Sequence, residues 1–237
     1  MMETIMEGNF GNGLGGDGWH FDSNNTFCIS LETAVDRRER MQKRFEYFGM
    51  DVSFCRASTP DECHENFVDY LSPRQRACTQ SHLNIWRYLF QNNIPYALIL
   101  EDDAMFDLKW REKMNDLWEQ LRGKEWDAVF LNCSEPAMPL NKWVQAKEQY
   151  LCGAYVISFA GVRNIHYIMW SLFKNVVYMS DWTTGRLQEM GRCWTYHPWL
   201  VIQEGRESLI GSGVELDHAK VVRCLGEIGY DISGNYV

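Results

Sequence analysis

A chain of 237 residues that is 46% hydrophobic and 23% charged has ordinary globular composition, which excludes a disordered chain and fits one α/β domain with a sizeable core rather than two domains. Its formal net charge of −9 excludes a general nucleic-acid binder, because phosphate-backbone affinity rests on clustered Lys and Arg. An anionic substrate would therefore need a metal, and the ten tryptophans and eleven tyrosines serve either a core or a site that stacks sugar rings or bases.

Residues 1–24 read as a flexible, glycine-rich leader, and 25–237 as the single domain. The leader contains a literal GxGxxG at Gly11, Gly13 and Gly16, but nothing strand-like precedes it and no helical period follows, so it is no dinucleotide fingerprint. The start, Met1-Met2-Glu3, lacks a basic segment followed by an apolar one, and no run is long enough to span a membrane. Eight cysteines without any CxxC spacing exclude a zinc ribbon and a thioredoxin motif. They read as reduced thiols of a cytoplasmic protein, with Cys55 and Cys63 the only pair near in sequence.

The first predicted element is a strand, Thr26 to Leu31. A helix follows from Asp36, with Met41, Phe45 and Phe48 on one face and Gly49 as its stop. Met50 to Arg56 alternates as a second strand. Ser72 as N-cap and Pro73 at the first position open a helix running to Asn92, with Leu83, Trp86 and Leu89 or Phe90 on its apolar face.

The run Ala97-Leu98-Ile99-Leu100 then reads as a strand buried on both faces, and it ends in Glu101, Asp102 and Asp103. Ligands bind at the carboxyl ends of strands in such sheets. Alternation along a strand puts Glu101 and Asp103 on one side, spaced to share a divalent cation, with Asp102 opposite. A solvated strand end before a helix cap is the plain alternative. Further elements are a helix near Trp110 to Leu121, a strand Ala128 to Leu131, a strand Ala154 to Ser158 and a helix from Gly161 to Leu172. A helix Thr183 to Met190 and two short strands, Cys193 to Tyr196 and Leu200 to Gln203, complete the set. Strands alternating with helices predict an α/β fold with a mostly parallel central sheet of six or seven strands flanked by helices.

Three of these segments, in order, resemble glycosyltransferase family 25. CISLETAVDRRERM is similar to the family's opening strand and arginine-rich turn, LSPRQRACTQSHLNIWRYL to its SH-containing helix, and PYALILEDDA to its acidic motif. YLCGAYVISFAG, YMSDW and YHPWLVIQ extend the likeness, which runs from about Phe27 to Gly211. Ser30 stands where the family usually has Asn, Ala34 where it often has Arg, and Ala77 where it often has Gly.

The resemblance implies a GT-A-like fold, a UDP-sugar donor, Mn²⁺ or Mg²⁺, and a saccharide or hydroxylysine-type glycan or protein acceptor. Galactose transfer with inversion is its commonest expectation, and a homodimer is compatible with it. It casts Asp103 as the main metal ligand with Glu101 as partner, and Asp102 as a ribose contact or supporting donor.

Leu31 ends the first strand as an expected substrate contact, and Arg37 and Arg38 follow it, where a guanidinium reaches uracil or diphosphate; a solvated basic face continuing through Arg40, Lys43 and Arg44 is the alternative. Ser81 and His82 of the SH motif, Gly153 and Tyr155, Trp182 and Gln203 complete the expected substrate contacts. Asp181 is the candidate general base, with a helix N-cap as its plain role. His197, and His218 beside Asp217, are further candidate ligands. A catalytically silent sugar- or nucleotide-binding module and a nucleotidyltransferase are the competing readings.

Overall fold

A computed structural model describes residues 18–132, 137–147, 151–205 and 214–237, with backbone alone for 214–218. The glycine motif at 11–16, Cys133 and the side chains of Asp217 and His218 lie outside the described residues. In chain order the elements are β1 (Thr26–Ser30), α1 (Val35–Phe48), β2 (Ser53–Arg56), α2 (Pro73–Gln91), β3 (Tyr96–Glu101), β4 (Ala104–Phe106) and α3 (Trp110–Leu121). Then come β5 (Ala128–Phe130), β6 (Lys142–Gln145), β7 (Ala154–Ser158), α4 (Phe159–Tyr167), α5 (Ser180–Gln188), β8 (Cys193–His197), β9 (Val201–Gln203), α6 (Val214–Glu227) and α7 (Ile232–Asn235).

Local chemistry sets the helix ends. Ser72 accepts from the Gln75 amide while the Gln75 side chain accepts from the Ser72 amide, so two otherwise unpaired donors at the start of α2 are satisfied. Gly49, at φ 59°, ends α1 in the left-handed region that glycine adopts without a Cβ penalty. No helix among the described residues is long and apolar enough to cross a membrane.

Seven strands form one sheet in the order β2-β1-β3-β7-β5-β8-β6, and β4 and β9 pair separately. β1 runs parallel to β2 and β3, and β5 parallel to β8; β7 is antiparallel to both β3 and β5, and β6 antiparallel to β8. The sheet is thus mixed, which corrects the expectation of a mostly parallel one. Every residue of β7 is buried, and a strand apolar on both faces carries no mark of its direction in the sequence.

Helices cover both faces. On β3, Leu98 and Leu100 join the cluster made with Met41 and Phe45 of α1 and with Trp110, Met114 and Trp118 of α3. Ala97 and Ile99 face the opposite cluster, which holds Leu83, Trp86 and Leu89 of α2, Val162 and Ile165 of α4 and Leu187 of α5. Burying each large side chain of this kind contributes about 2 kcal/mol.

Phe90 lies outside the apolar stripe of α2, at 43% exposure. Most of the aromatic load packs the core. Trp19 stacks on Phe21 and meets Tyr96, Trp118 and Trp126 edge-on, and its indole N–H donates to the Met114 carbonyl at 2.8 Å. The packed part of the chain therefore includes residues ahead of Asn25.

Candidate functional site

β1, β2 and β3 are parallel, and their carboxyl ends open into a cleft of about 430 Å³. Ser30 and Leu31 line it from β1, Arg37 from α1, Ala57 to Pro60 from the loop after β2, and Arg74, Ala77, Cys78 and Ser81 from α2. Glu101, Asp102, Asp103 and Gln203 also line it, with Ile29 and Thr33, and none of its lining among the described residues is aromatic. Of the two roles left open for the surplus aromatics, the core is the one that most of the described rings take. Trp182, 51% exposed, lies instead on a second cleft with Lys147, Arg186 and Glu189.

The three carboxylates divide by element. Glu101 is the last residue of β3 and follows the parity of Ala97 and Ile99, so it turns to α2, where its Oε1 lies 3.3 Å from His82 Nε2 and 3.7 Å from Cys78 Sγ. Asp102 turns to the α1 side. Its Oδ1 accepts from Arg37 Nη1 at 2.6 Å and its Oδ2 from the Ser30 hydroxyl at 2.7 Å. Ser30, at a departure from the family pattern, thus holds the acidic motif in place.

Asp103 is already in the turn beyond the strand, so the alternation that pairs it with Glu101 no longer operates. Its Oδ2 lies 3.6 Å from the same Arg37 Nη1, and its buried Oδ1 has no hydrogen-bond partner among the described residues. All three carboxylates face one cleft, Asp102 included.

Electrostatics separate them further. Burial works against charge on Glu101, but hydrogen bonding and attraction from His82 outweigh it and hold that carboxyl below its ordinary value. Burial and the neighbouring Glu101 push the Asp103 carboxyl up to about 7 against the opposing pull of Arg37. The Arg37 guanidinium and the His82 imidazole lie against three crowded carboxylates. An oxygen donor set with a buried, unpartnered carboxylate oxygen fits a hard divalent cation such as Mn²⁺ or Mg²⁺.

Around this centre the expected contacts separate into lining and supporting residues. Leu31, Arg37, Ser81 and Gln203 line the cleft. Arg38 does not; it donates to the Ser30 carbonyl at 3.3 Å and lies over the Phe54 ring, closing the end of β1. The Ser81 hydroxyl accepts from the Ser58 amide and donates to the Ala77 carbonyl, clasping the β2 loop to α2.

His82 and Tyr155 are fully buried. His82 Nδ1 lies 3.0 Å from the Tyr155 hydroxyl, which also accepts from the Trp86 indole N–H at 2.9 Å, so both act behind Glu101 rather than in the cleft. Gly153 accepts from the Glu101 amide through its carbonyl, and a Cβ there would stand 2.7 Å from Asn132 Nδ2.

Asp181 sits in the first turn of α5, where its Oδ1 accepts from the Cys152 amide at 3.1 Å. The N-cap of that helix is Met179, so capping is not the role of Asp181. Burial, then the charge of Glu101, push its carboxyl up to about 7. His197 is fully buried, neither ring nitrogen has a hydrogen-bond partner, and burial lowers its pKa.

Sequence reasoning missed Arg74 and Thr59 in the lining. It also missed Glu204, which Arg40 and Arg44 grip at 2.9 and 3.2 Å. The spacing of Arg37, Arg40 and Arg44, three and four residues apart, was the available signal for one inward-facing stripe.

Comparison with known proteins identifies the family. The model of glycosyltransferase family 25 (LPS biosynthesis protein) matches residues 23–149. Procollagen galactosyltransferase 1-A of Xenopus laevis is 24% identical over 166 residues, covering 59% of this chain and 27% of that protein. The lipooligosaccharide biosynthesis protein lic2B of Haemophilus influenzae is 30% identical over 88 residues, 33% of each chain. A bovine protein named probable inactive glycosyltransferase 25 family member 3 is 28% identical over 165 residues, 59% of this chain and 28% of its own length. The similarity thus spans about a third or less of these relatives.

Proposed function

Since this chain belongs to glycosyltransferase family 25, we propose that it transfers a hexose, galactose first among the choices, from a UDP-sugar bound in the cleft at the ends of β1 and β3. The acceptor class is a saccharide or a hydroxylysine-type protein glycan, as the names of the relatives suggest. The observation that carries the reading is the convergence of Glu101, Asp102 and Asp103 on one cleft, with Arg37 set against Asp102 and Asp103 and a buried carboxylate oxygen of Asp103 left without a hydrogen-bond partner among the described residues.

Asp103 and Glu101 would hold the divalent cation. That cation, Mn²⁺ or Mg²⁺, supplies Lewis-acid stabilisation of the charge that gathers on a diphosphate leaving group. Arg37 orients Asp102 and offers its guanidinium to the diphosphate. Leu31 and Gln203 bound the donor from opposite walls, and Ser81 keeps the β2 loop closed against α2. Asp181 takes the acceptor proton in an inverting transfer, a task matched by a carboxyl poised at about 7.

The test is UDP binding by calorimetry with and without Mn²⁺, on the native chain and on Asp103→Asn, followed by UDP-sugar turnover in Asp103→Ala. Metal-dependent binding that the variant loses supports the donor site, and unchanged turnover in Asp103→Ala would sink the metal role. The departures at Ser30 and Ala34, and likeness to a relative named probable inactive, favour as second reading a silent binding module; multiple turnover excludes it. Release of pyrophosphate instead of UDP would identify a nucleotidyltransferase.

A further inference from the structure

The α2 wall of the cleft carries a second donor set. Cys78 and His82 are four residues apart on α2 and so share one face of the helix; Glu101 meets them from β3. One ligand atom from each of the three lies within 4.8 Å of the others. We propose that Cys78, His82 and Glu101 form a binding site for a thiophilic divalent cation, Zn²⁺ above all, which shares Glu101 with the oxygen site around Asp103.

The two distances to Glu101 match the ion, and the third lies within 4.8 Å. Bond lengths of about 2.3 Å to sulfur and about 2.0 Å to nitrogen and oxygen, at tetrahedral angles, separate N from O by about 3.3 Å and S from O by about 3.5 Å. Here His82 Nε2 stands 3.3 Å from Glu101 Oε1, and Cys78 Sγ stands 3.7 Å from it. Thiolate and imidazole select Zn²⁺ over Mn²⁺ or Mg²⁺, which prefer oxygen.

The supporting shell is also present. With Nε2 on the metal, the neutral imidazole carries its proton on Nδ1 and donates it to the Tyr155 hydroxyl, which the Trp86 indole fixes from the other side. Cys78 and Glu101 both line the cleft, which gives the ion its entry path. Coordination releases the Cys78 thiol proton to solvent, and because Glu101 is shared, Zn²⁺ held there withdraws a carboxylate from the hard-metal site. The inference goes beyond the donor reading and does not depend on it.

The test uses the whole chain without nucleotide and Co²⁺ as a spectroscopic substitute. One equivalent of Co²⁺ is expected to give a near-ultraviolet thiolate-to-metal charge-transfer band that equimolar Zn²⁺ erases. Cys78→Ser abolishes the band, Cys63→Ser keeps it, and Tyr155→Phe weakens Co²⁺ affinity about 10- to 100-fold through the second shell. Asp103→Asn keeps the band even while it loses UDP binding, so failure of one reading is distinguishable from failure of the other. In the unmutated chain, Zn²⁺ must also slow alkylation of Cys78 but not of Cys63, a readout that needs no variant to fold. No charge-transfer band, a band undiminished in Cys78→Ser, or equal alkylation of Cys78 with and without Zn²⁺ overturns the proposal.

Discussion

Asp103→Asn is expected to stabilise the metal-free protein near about pH 8 while destroying metal-dependent nucleotide binding. In the folded chain, burial and then the Glu101 charge raise the Asp103 carboxyl from 3.8 to about 7. An acid whose folded pKa exceeds its unfolded value holds its proton more tightly when folded. Its contribution to stability is therefore fully present below the unfolded pKa and is lost as pH rises through the folded one, here between about pH 4 and about pH 7.

At about 1.4 kcal/mol per tenfold change in proton affinity, the cost of keeping Asp103 has a ceiling of about 4 kcal/mol near pH 8. Glu101 titrates against the same group, and Arg37 loses one of its two carboxylate contacts in the variant, so about 1–3 kcal/mol should be recovered, or several degrees of melting temperature in a chain of this size. Thermal unfolding with a chelator at about pH 5 and about pH 8 reads the effect, with a smaller gain at the acid end. A variant no more stable than the native chain near pH 8, or a gain of equal size at both pH values, would refute the reasoning.

Four further outcomes follow from the packing. Arg37→Ala leaves buried Asp102 with the Ser30 hydroxyl and no guanidinium, so it should cost about 2–3 kcal/mol in urea unfolding and abolish UDP binding. Arg38→Ala, whose side chain closes β1 outside the cleft, should leave that affinity within about twofold by the ordinary range of surface substitutions. Gly161→Ala would bring a Cβ to 2.2 Å from the Asp127 carbonyl oxygen, forcing α4 off the sheet at a cost of about 2–4 kcal/mol, measurable as a fall in melting temperature. Gly153→Ala meets the Asn132 side chain at 2.7 Å, which is buried and accepts from the Ala154 amide, so calorimetry should show weaker UDP binding together with a stability loss of about 1–3 kcal/mol.

What the sequence made legible was local. Ser72-Pro73 and Gly49 announce helix ends because the groups they satisfy lie within a few residues, and α3 begins and ends where its apolar period does. The direction of β7 was hidden because a strand buried on both faces has no polar side to orient it. β4 was hidden for a different reason. β4 has too few residues to show a period, and it exists through its pairing with β9, about a hundred positions away.

The arginine run of α1 shows the same divide within the site. Its residue types fit a solvated face, yet Arg37 meets Asp102, while Arg40 and Arg44 meet Glu204, partners that only the folded chain brings near. Strand parity settles the acidic motif in part. It sends Glu101 toward Cys78 and His82 because Ala97 and Ile99 face α2, and it ceases to govern Asp103 because β3 ends one residue after Leu100. Glu101 consequently stands between a soft donor pair on the helix and a hard carboxylate pair in the turn. Which cation occupies the cleft is then decided by whether thiolate and imidazole or oxygen completes the shell around that one side chain, a choice that Cys78→Ser and Asp103→Asn separate.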